Sequence, residues 1–127
     1  MQNAFLFVYG TLLDDGNELA GYLKNNSGFY SEGKINGRLY DIGEYPGAIL
    51  SSDNNEYVYG NILKLNDTEK VLLVIDDYEG YGDEQVQPNL FRRVLAEALT
   101  ETGRVNCWVY VYNLSVDGLP LIKSGRY

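Results

Sequence analysis

The apolar side chains of this chain fall into short runs whose period changes several times. One run near the start is nearly continuous, which predicts a buried strand. Most later runs alternate apolar and polar side chains, as expected of strands with one face in a core. The segment NNSG at 25–28 predicts a turn. The predicted strands cover residues 4–9, 29–42, 48–51, 57–65, 90–100 and 104–112.

Two further segments repeat apolar side chains at helical spacing. These are residues 18–24 and residues 68–78. Asn66 or Asp67 is the expected N-cap of the second helix, because either side chain accepts a hydrogen bond from a free backbone N–H. Glu69 completes a capping box if Asn66 is the N-cap.

The order of these elements predicts an α+β fold. About six strands and two helices alternate irregularly, and the strands are expected to pair mostly antiparallel. A small mixed β-barrel with two or more flanking helices is the economical arrangement, because closing a sheet removes its exposed edges. The 127 residues contain no linker, repeat or low-complexity tract, so a single domain over residues 1–127 is expected.

Composition excludes several kinds of chemistry and several kinds of partner. The chain has no histidine, which removes Ser-His-Asp and Cys-His catalysis and most zinc sites, so no metal is expected. Acid–base chemistry must then use carboxylates, tyrosines or lysines. The net charge of −8 repels phosphate backbones and anionic membranes, so neither nucleic acid nor a membrane is an expected partner.

Cysteine content and the lack of targeting signals indicate a reducing compartment. Cys107 is the only cysteine, so no internal disulfide is possible, and its apolar strand predicts an inert core thiol. The N-terminal segment lacks the basic region of a signal peptide. No apolar stretch approaches the roughly 18 residues of a membrane span. We therefore expect a cytoplasmic protein.

The first candidate for function is the segment Tyr9-Gly10-Thr11-Leu12, which ends the first strand. Backbone N–H groups around a glycine can form a concave anion-binding surface, and glycine lets a ligand approach the backbone closely. The alternative is a simple turn in which Thr11 makes a local hydrogen bond.

The second candidate is the acidic end of the second predicted helix, which carries Asp76, Asp77 and Glu79. The helix dipole disfavours negative charge at a C-terminus, and together with the like charges it raises the pKa of a carboxyl group there. A carboxylate of raised pKa is a better general base, and in a chain without histidine Glu79 is the foremost candidate. The alternative is a solvated acidic helix end.

Several other polar residues stand in or beside predicted strands. Arg92 and Arg93 are neighbours in a strand, so one is expected to face the pocket and the other solvent. Structural ion pairing is the favoured role for both, and Arg38 can also pair with an acid. Whether Arg38, Arg93 or Tyr110 lines a pocket stays open at this level.

Taken together, the motifs resemble those of the gamma-glutamylcyclotransferase-like family of small barrel proteins. Each motif is weak alone, but their order and spacing are fairly specific and span nearly the whole chain. The matching segments are FVYGTL at 7–12, GRLYDIGEYPG at 37–47, YGNILKL at 59–65, IDDYEGY at 75–81, FRRV at 91–94, CWVYVY at 107–112 and IKSGRY at 122–127.

The resemblance implies an enzyme that cyclises a γ-glutamyl group to 5-oxoproline and releases an amine or amino acid. It implies that Glu79, in the D-x-Y-E-G segment, is the catalytic acid/base and that Tyr9, Gly10, Thr11 and Leu12 bind the γ-glutamyl substrate. No cofactor is implied. A non-catalytic domain that binds a small γ-glutamyl or carboxylate ligand on the same fold is the alternative.

Overall fold

The architecture is described from a computed structural model, which covers residues 3–9, 18–43, 46–52, 55–79, 81–82, 88–89 and 91–126, apart from the side chains of residues 18–20 and 79. The described residues form six strands and two helices. In chain order these are β1 (Phe5–Val8), α1 (Glu18–Asn26), β2 (Ser27–Asp41), β3 (Pro46–Leu50), β4 (Tyr57–Leu65), α2 (Thr68–Glu79), β5 (Phe91–Thr100) and β6 (Gly103–Tyr112).

Five of the strands close into a barrel. The sheet order is β3-β2-β4-β1-β6-β5, and β5 pairs again with β2. The closing contact is short, with Lys34 opposite Leu99 and Ile35 opposite Ala98. Among the described strands only β1 and β6 run parallel, and β3 lies outside the barrel as an antiparallel extension of β2. The predicted mixed, mostly antiparallel barrel with two flanking helices is confirmed.

The long strand β2 pairs with three neighbouring strands because it bends. Its first part pairs with β4, with a bulge between Phe29 and Ser31, and its last part pairs with β3. It begins directly after α1, so the predicted turn at 25–28 is wrong. Ser27 Oγ donates to the Leu23 carbonyl, and Asn26 Nδ2 donates to the Tyr22 carbonyl. These bonds satisfy the last helical carbonyls, which lets the strand start at once.

Two apolar clusters lie on opposite faces of the barrel wall. In β1 the side chains alternate between them, with Phe7 in the barrel interior and Leu6 and Val8 facing the helices. The interior cluster also holds Cys107, whereas Tyr110 belongs to the outer one. The outer cluster buries the apolar faces of α1 and α2, and therefore fixes α2 along the outside of β1 and β6.

Helix α2 starts at a polar cap. The backbone N–H of Lys70 donates to Asp67 Oδ1 over 3.3 Å, so Asp67 is the N-cap and the capping box built on Asn66 is wrong. Both candidates have a suitable side chain, so side-chain type alone does not decide between them. Glu69 lies in the first turn, where its negative charge interacts favourably with the helix dipole.

Candidate functional site

The last turn of α2 is attached to the barrel through Asp76. Asp76 Oδ1 accepts a hydrogen bond from the Tyr110 hydroxyl at 2.5 Å. The same oxygen lies 3.0 Å from Arg93 Nε, although the angle is not that of a hydrogen bond. The side chains of Arg93 and Asp76 are only 17% and 14% exposed, so this ion pair is largely shielded from water. The acid that is unfavourable at a helix C-terminus therefore has a compensating cation.

The Arg93 guanidinium lies between aromatic rings. Its central carbon is 4.5 Å from the centre of the Trp108 ring and 6.0 Å from that of Tyr81, within the range of cation–π attraction. Trp108 is itself held by a hydrogen bond of 3.0 Å from its Nε1 to the Asn3 carbonyl. Arg92 is exposed on the other side of β5. The predicted placement of the two arginines on opposite sides of the strand is confirmed, as is the ion-pairing role of Arg93. That Arg93 faces a pocket stays a prediction.

Helix α2 ends with Glu79. The backbone N–H of Tyr81 donates to the Asp76 carbonyl at 2.9 Å. A bond from the sixth residue back to the first is typical of the Schellman ending and makes Glu79 the C-cap. Glu79 thus lies three positions after the anchored Asp76. Its side chain lies outside the described residues, and its catalytic role stays a prediction.

Tyr9 follows β1 and is 9% exposed. Its hydroxyl donates to the Tyr110 carbonyl at 2.5 Å and accepts from the Ala48 N–H at 3.1 Å. The ring thus connects the end of β1 with β6 and β3, in addition to any contact with a ligand. Gly10, Thr11 and Leu12 lie outside the described residues, so the predicted binding segment is represented here by Tyr9 alone.

Tyr110 connects the two predicted parts of the site. Its carbonyl receives the Tyr9 hydroxyl, and its own hydroxyl reaches Asp76 on α2. Asp76, the first residue of the D-x-Y-E-G segment on α2, and Tyr9 at the end of β1 are therefore both attached to one buried residue of β6. The sequence left open whether Tyr110 lines a pocket and gave no sign that it contacts Asp76. The two residues are 34 positions apart, and no local pattern signals their contact.

An aromatic pair lies at the same end of the barrel. The rings of Phe91, the first residue of β5, and Tyr112, the last of β6, meet edge to face with centroids 5.8 Å apart. Gly47 packs against Tyr112, where a Cβ would contact the Tyr112 side chain and collide with Ile42. In the register of β5 and β6 this aromatic pair lies two positions from the Arg93–Tyr110 pair, so apolar groups lie close to the polar Asp76–Arg93 pair.

Two other residues singled out in the sequence lie apart from this cluster. Arg38 Nε is 2.6 Å from Glu56 Oε2 on the protein surface. The hydrogen bond from Arg38 lowers the pKa of the Glu56 carboxyl, and the pKa of Arg38 is raised in return. Cys107 is fully buried in the barrel, and this burial raises the pKa of its thiol to about 11.

The described part of the chain contains neither a metal-binding cluster nor a membrane-spanning helix. No group of three or more cysteine, aspartate or glutamate residues in it is arranged to hold a metal ion. No described helix is long and apolar enough to cross a membrane.

A family model described as gamma-glutamyl cyclotransferase, AIG2-like, matches residues 6–127. The chain belongs to this family. Within the gamma-glutamyl cyclotransferase, AIG2-like family, it is 32% identical over 124 residues to the gamma-glutamylcyclotransferase family protein YtfP of Escherichia coli K12. That alignment covers 96% of this chain and 94% of YtfP. The family membership expected from the seven sequence motifs is confirmed.

Solved structures show the same fold at lower identity. An AIG2-like protein from Mus musculus superimposes with a TM-score of 0.73 at 21% identity, covering 97% of this chain and 88% of that one. YkqA from Bacillus subtilis gives a TM-score of 0.73 at 20% identity, and the match covers 99% of this chain but only 40% of YkqA. The barrel is therefore the fold of this family, and in YkqA it forms part of a longer chain.

Proposed function

We propose that this protein is a γ-glutamyl cyclotransferase that converts a γ-glutamyl amine or γ-glutamyl amino acid into 5-oxoproline and the free amine. The observation that carries the proposal is the family match over residues 6–127 together with the D-x-Y-E-G segment at the anchored end of α2. Asp76 holds that helix end to Arg93 and Tyr110, which supports a defined position for the backbone of Glu79.

Glu79 carries the protons in this proposal. Its carboxylate takes a proton from the α-ammonium of the γ-glutamyl group, and the freed nitrogen attacks the γ-carbonyl carbon. The tetrahedral intermediate collapses when the bond to the leaving nitrogen breaks and that nitrogen takes the proton from Glu79. The new ring nitrogen gives its second proton to the released amine, which departs as an ammonium ion. Acid–base catalysis of this kind contributes roughly 10²–10⁴-fold in rate.

The segment Tyr9-Gly10-Thr11-Leu12 is the proposed binding element for the γ-glutamyl group. Backbone N–H groups of such a segment suit the substrate carboxylate or the developing oxyanion. Holding the γ-glutamyl chain curled brings the amine onto the carbonyl, and effective concentration then supplies much of the acceleration. Tyr9 supports this role because its hydroxyl is fixed by Tyr110 and Ala48, so the start of the segment is attached to the barrel.

The test is release of 5-oxoproline from a panel of γ-glutamyl amines and amino acids. The wild-type protein should turn over at least one of them, and Glu79→Gln should lower kcat by roughly 10²–10⁴-fold. Glu69→Gln is the matched control, because Glu69 is an exposed glutamate in the first turn of the same helix and should leave kcat unchanged.

Two outcomes would contradict the proposal. Equal turnover by Glu79→Gln and wild type would remove Glu79 from the mechanism. Saturable binding of γ-glutamyl compounds without any 5-oxoproline would instead indicate a non-catalytic binding domain.

A further inference from the structure

A second concave surface lies on the outside of the barrel. It is an open groove of about 500 Å³ between β2, β4 and the turn from β5 to β6, and we name it the β2–β4 groove. The charged and aromatic side chains that line it are Glu32, Lys34, Tyr59, Glu101 and Arg126. Its described lining residues include none of Tyr9, Asp76, Arg93 and Tyr110, although Asn61 of the groove pairs with Val8 at the end of β1.

Two cations meet over the same ring in this groove. Lys34 Nζ is 5.9 Å from the centre of the Tyr59 ring, and the Arg126 guanidinium carbon is 4.2 Å from it. Lys34 also lies 4.0 Å from the ring of Tyr57. Within the described residues neither cation makes an ion pair. Two like charges that lie near one aromatic ring and form no ion pair within the described residues favour binding of an anionic group.

The position of Arg126 is set by backbone contacts. The Tyr59 N–H donates to the Gly125 carbonyl at 2.9 Å. Gly125 has a φ of 70° and packs against the Tyr57 carbonyl, where a Cβ would collide. Ser124 Oγ bonds both the N–H and the carbonyl of Arg126 at 3.2 Å. The Ser124-Gly125-Arg126 segment is therefore built to hold its arginine beside Tyr59.

The groove also contains negative charge. Glu32 and Glu101 line it, and within the described residues neither is part of an ion pair. A ligand with an anionic group alone would meet repulsion from these carboxylates, and a purely cationic ligand would meet repulsion from Lys34 and Arg126. A ligand that carries both charges satisfies both sets. Its volume is within the usual range of small-molecule sites, roughly 300–1,000 Å³.

We propose that the β2–β4 groove binds a small α-amino-acid-type zwitterion, namely a free amino acid or a dipeptide. Lys34 and Arg126 receive its carboxylate, and Glu32 and Glu101 receive its ammonium group. This site is independent of Glu79 and of the proposed cyclotransferase reaction, and its ligand does not need a γ-glutamyl bond.

The experiment is an NMR titration of the ¹⁵N-labelled protein with L-alanyl-L-alanine. N-acetyl-L-alanyl-L-alanine, which lacks the ammonium group, and L-alanyl-L-alanine amide, which lacks the carboxylate, are titrated in parallel. We expect saturable shifts at the backbone amides of Lys34, Tyr59 and Arg126, and at least tenfold weaker binding of each blocked peptide, since a hydrogen bond to a charged group contributes on that order. No peptide contains a γ-glutamyl bond, so the result does not depend on catalysis.

Variants assign the binding to the groove. Lys34→Gln and Arg126→Gln should each weaken the dipeptide about tenfold, whereas Lys70→Gln on the exposed first turn of α2 should not change it. The proposal is overturned if the groove amides do not shift, if either blocked peptide binds as tightly as the dipeptide, or if both groove variants bind like wild type. The dispersion of the NMR spectrum shows whether each variant is folded, so loss of binding caused by unfolding is recognised in the same sample. If one of the two groove variants is unfolded, the dipeptide affinity of the other tests the proposal.

Discussion

The Tyr110 hydroxyl donates a hydrogen bond to Asp76 across 2.5 Å, joining the C-terminal part of β6 to the last turn of α2. Tyr110 is 3% exposed, so the bond forms where water does not compete for it. Asp76 also faces Arg93, so one carboxylate is held by a neutral donor and a cation from two strands. This arrangement holds the end of α2, and with it the backbone of Glu79, against the barrel.

Removing that hydroxyl should destabilise the protein. Tyr110→Phe leaves the Asp76 carboxylate short of one donor in a largely buried position, and we expect a loss of about 1.5–3 kcal/mol in the free energy of unfolding. Urea denaturation measures it as a lower midpoint at unchanged slope. Tyr30→Phe is the control, because Tyr30 is 51% exposed and should change the midpoint little. Equal stability of Tyr110→Phe and wild type would show that the bond does not hold the helix end.

Gly60 allows β1 and β4 to approach each other. A Cβ there would collide with the Val8 carbonyl oxygen and the Phe7 ring, and neither can move without disturbing the barrel core. We expect Gly60→Ala to cost about 3 kcal/mol or more, or to prevent folding. In Gly28→Ala the added Cβ meets open space, so that variant should stay within about 0.5 kcal/mol of wild type. Thermal denaturation of the two variants compares them directly, and similar midpoints would contradict the close approach.

The buried thiol of Cys107 should be unreactive in the folded protein. Its pKa is raised to about 11, so almost no thiolate is present at pH 8, and the barrel wall excludes reagents. We expect negligible labelling by a thiol-specific disulfide reagent at pH 8 and rapid labelling in urea. An unfolded thiol has a pKa of about 8.5, so unfolding releases a proton and stability falls as pH rises from there towards the folded-state value. Fast labelling of the native protein would contradict this burial.

The Arg38–Glu56 pair makes a pH-dependent contribution. Because the pKa of Glu56 lies below its ordinary 4.5 in the folded state, the stabilisation is present above that pH and is lost as pH falls through the folded-state pKa. An NMR titration of the Glu56 carboxyl carbon should show the lowered pKa, and Arg38→Gln should raise it towards 4.5. Arg104→Gln, which removes the other exposed arginine in an ion pair, should leave the Glu56 titration unchanged. A Glu56 midpoint unaffected by Arg38→Gln would contradict the pairing.

Local periodicity was enough to locate each of the described strands and helices to within a few residues. The strand at 57–65 and the start of α2 at residue 68 agree with the structure, because alternation and capping are local properties of the chain. The prediction that Asn66 or Asp67 caps α2 is confirmed for Asp67, a choice that side-chain type alone leaves undetermined. The turn expected at 25–28 is wrong, because the chain passes directly from α1 to β2.

By itself the sequence determined the element order, the barrel class, the family and the choice of Glu79 as candidate base, since these depend on pattern and on motifs in a given order. Only the tertiary structure decided that β5 returns to β2, that Asp76 meets both Arg93 and Tyr110, and that Lys34 and Arg126 share Tyr59. Those contacts join residues far apart along the chain, and they depend on how the barrel closes. Closure is a property of all the strands together, so no local segment encodes it.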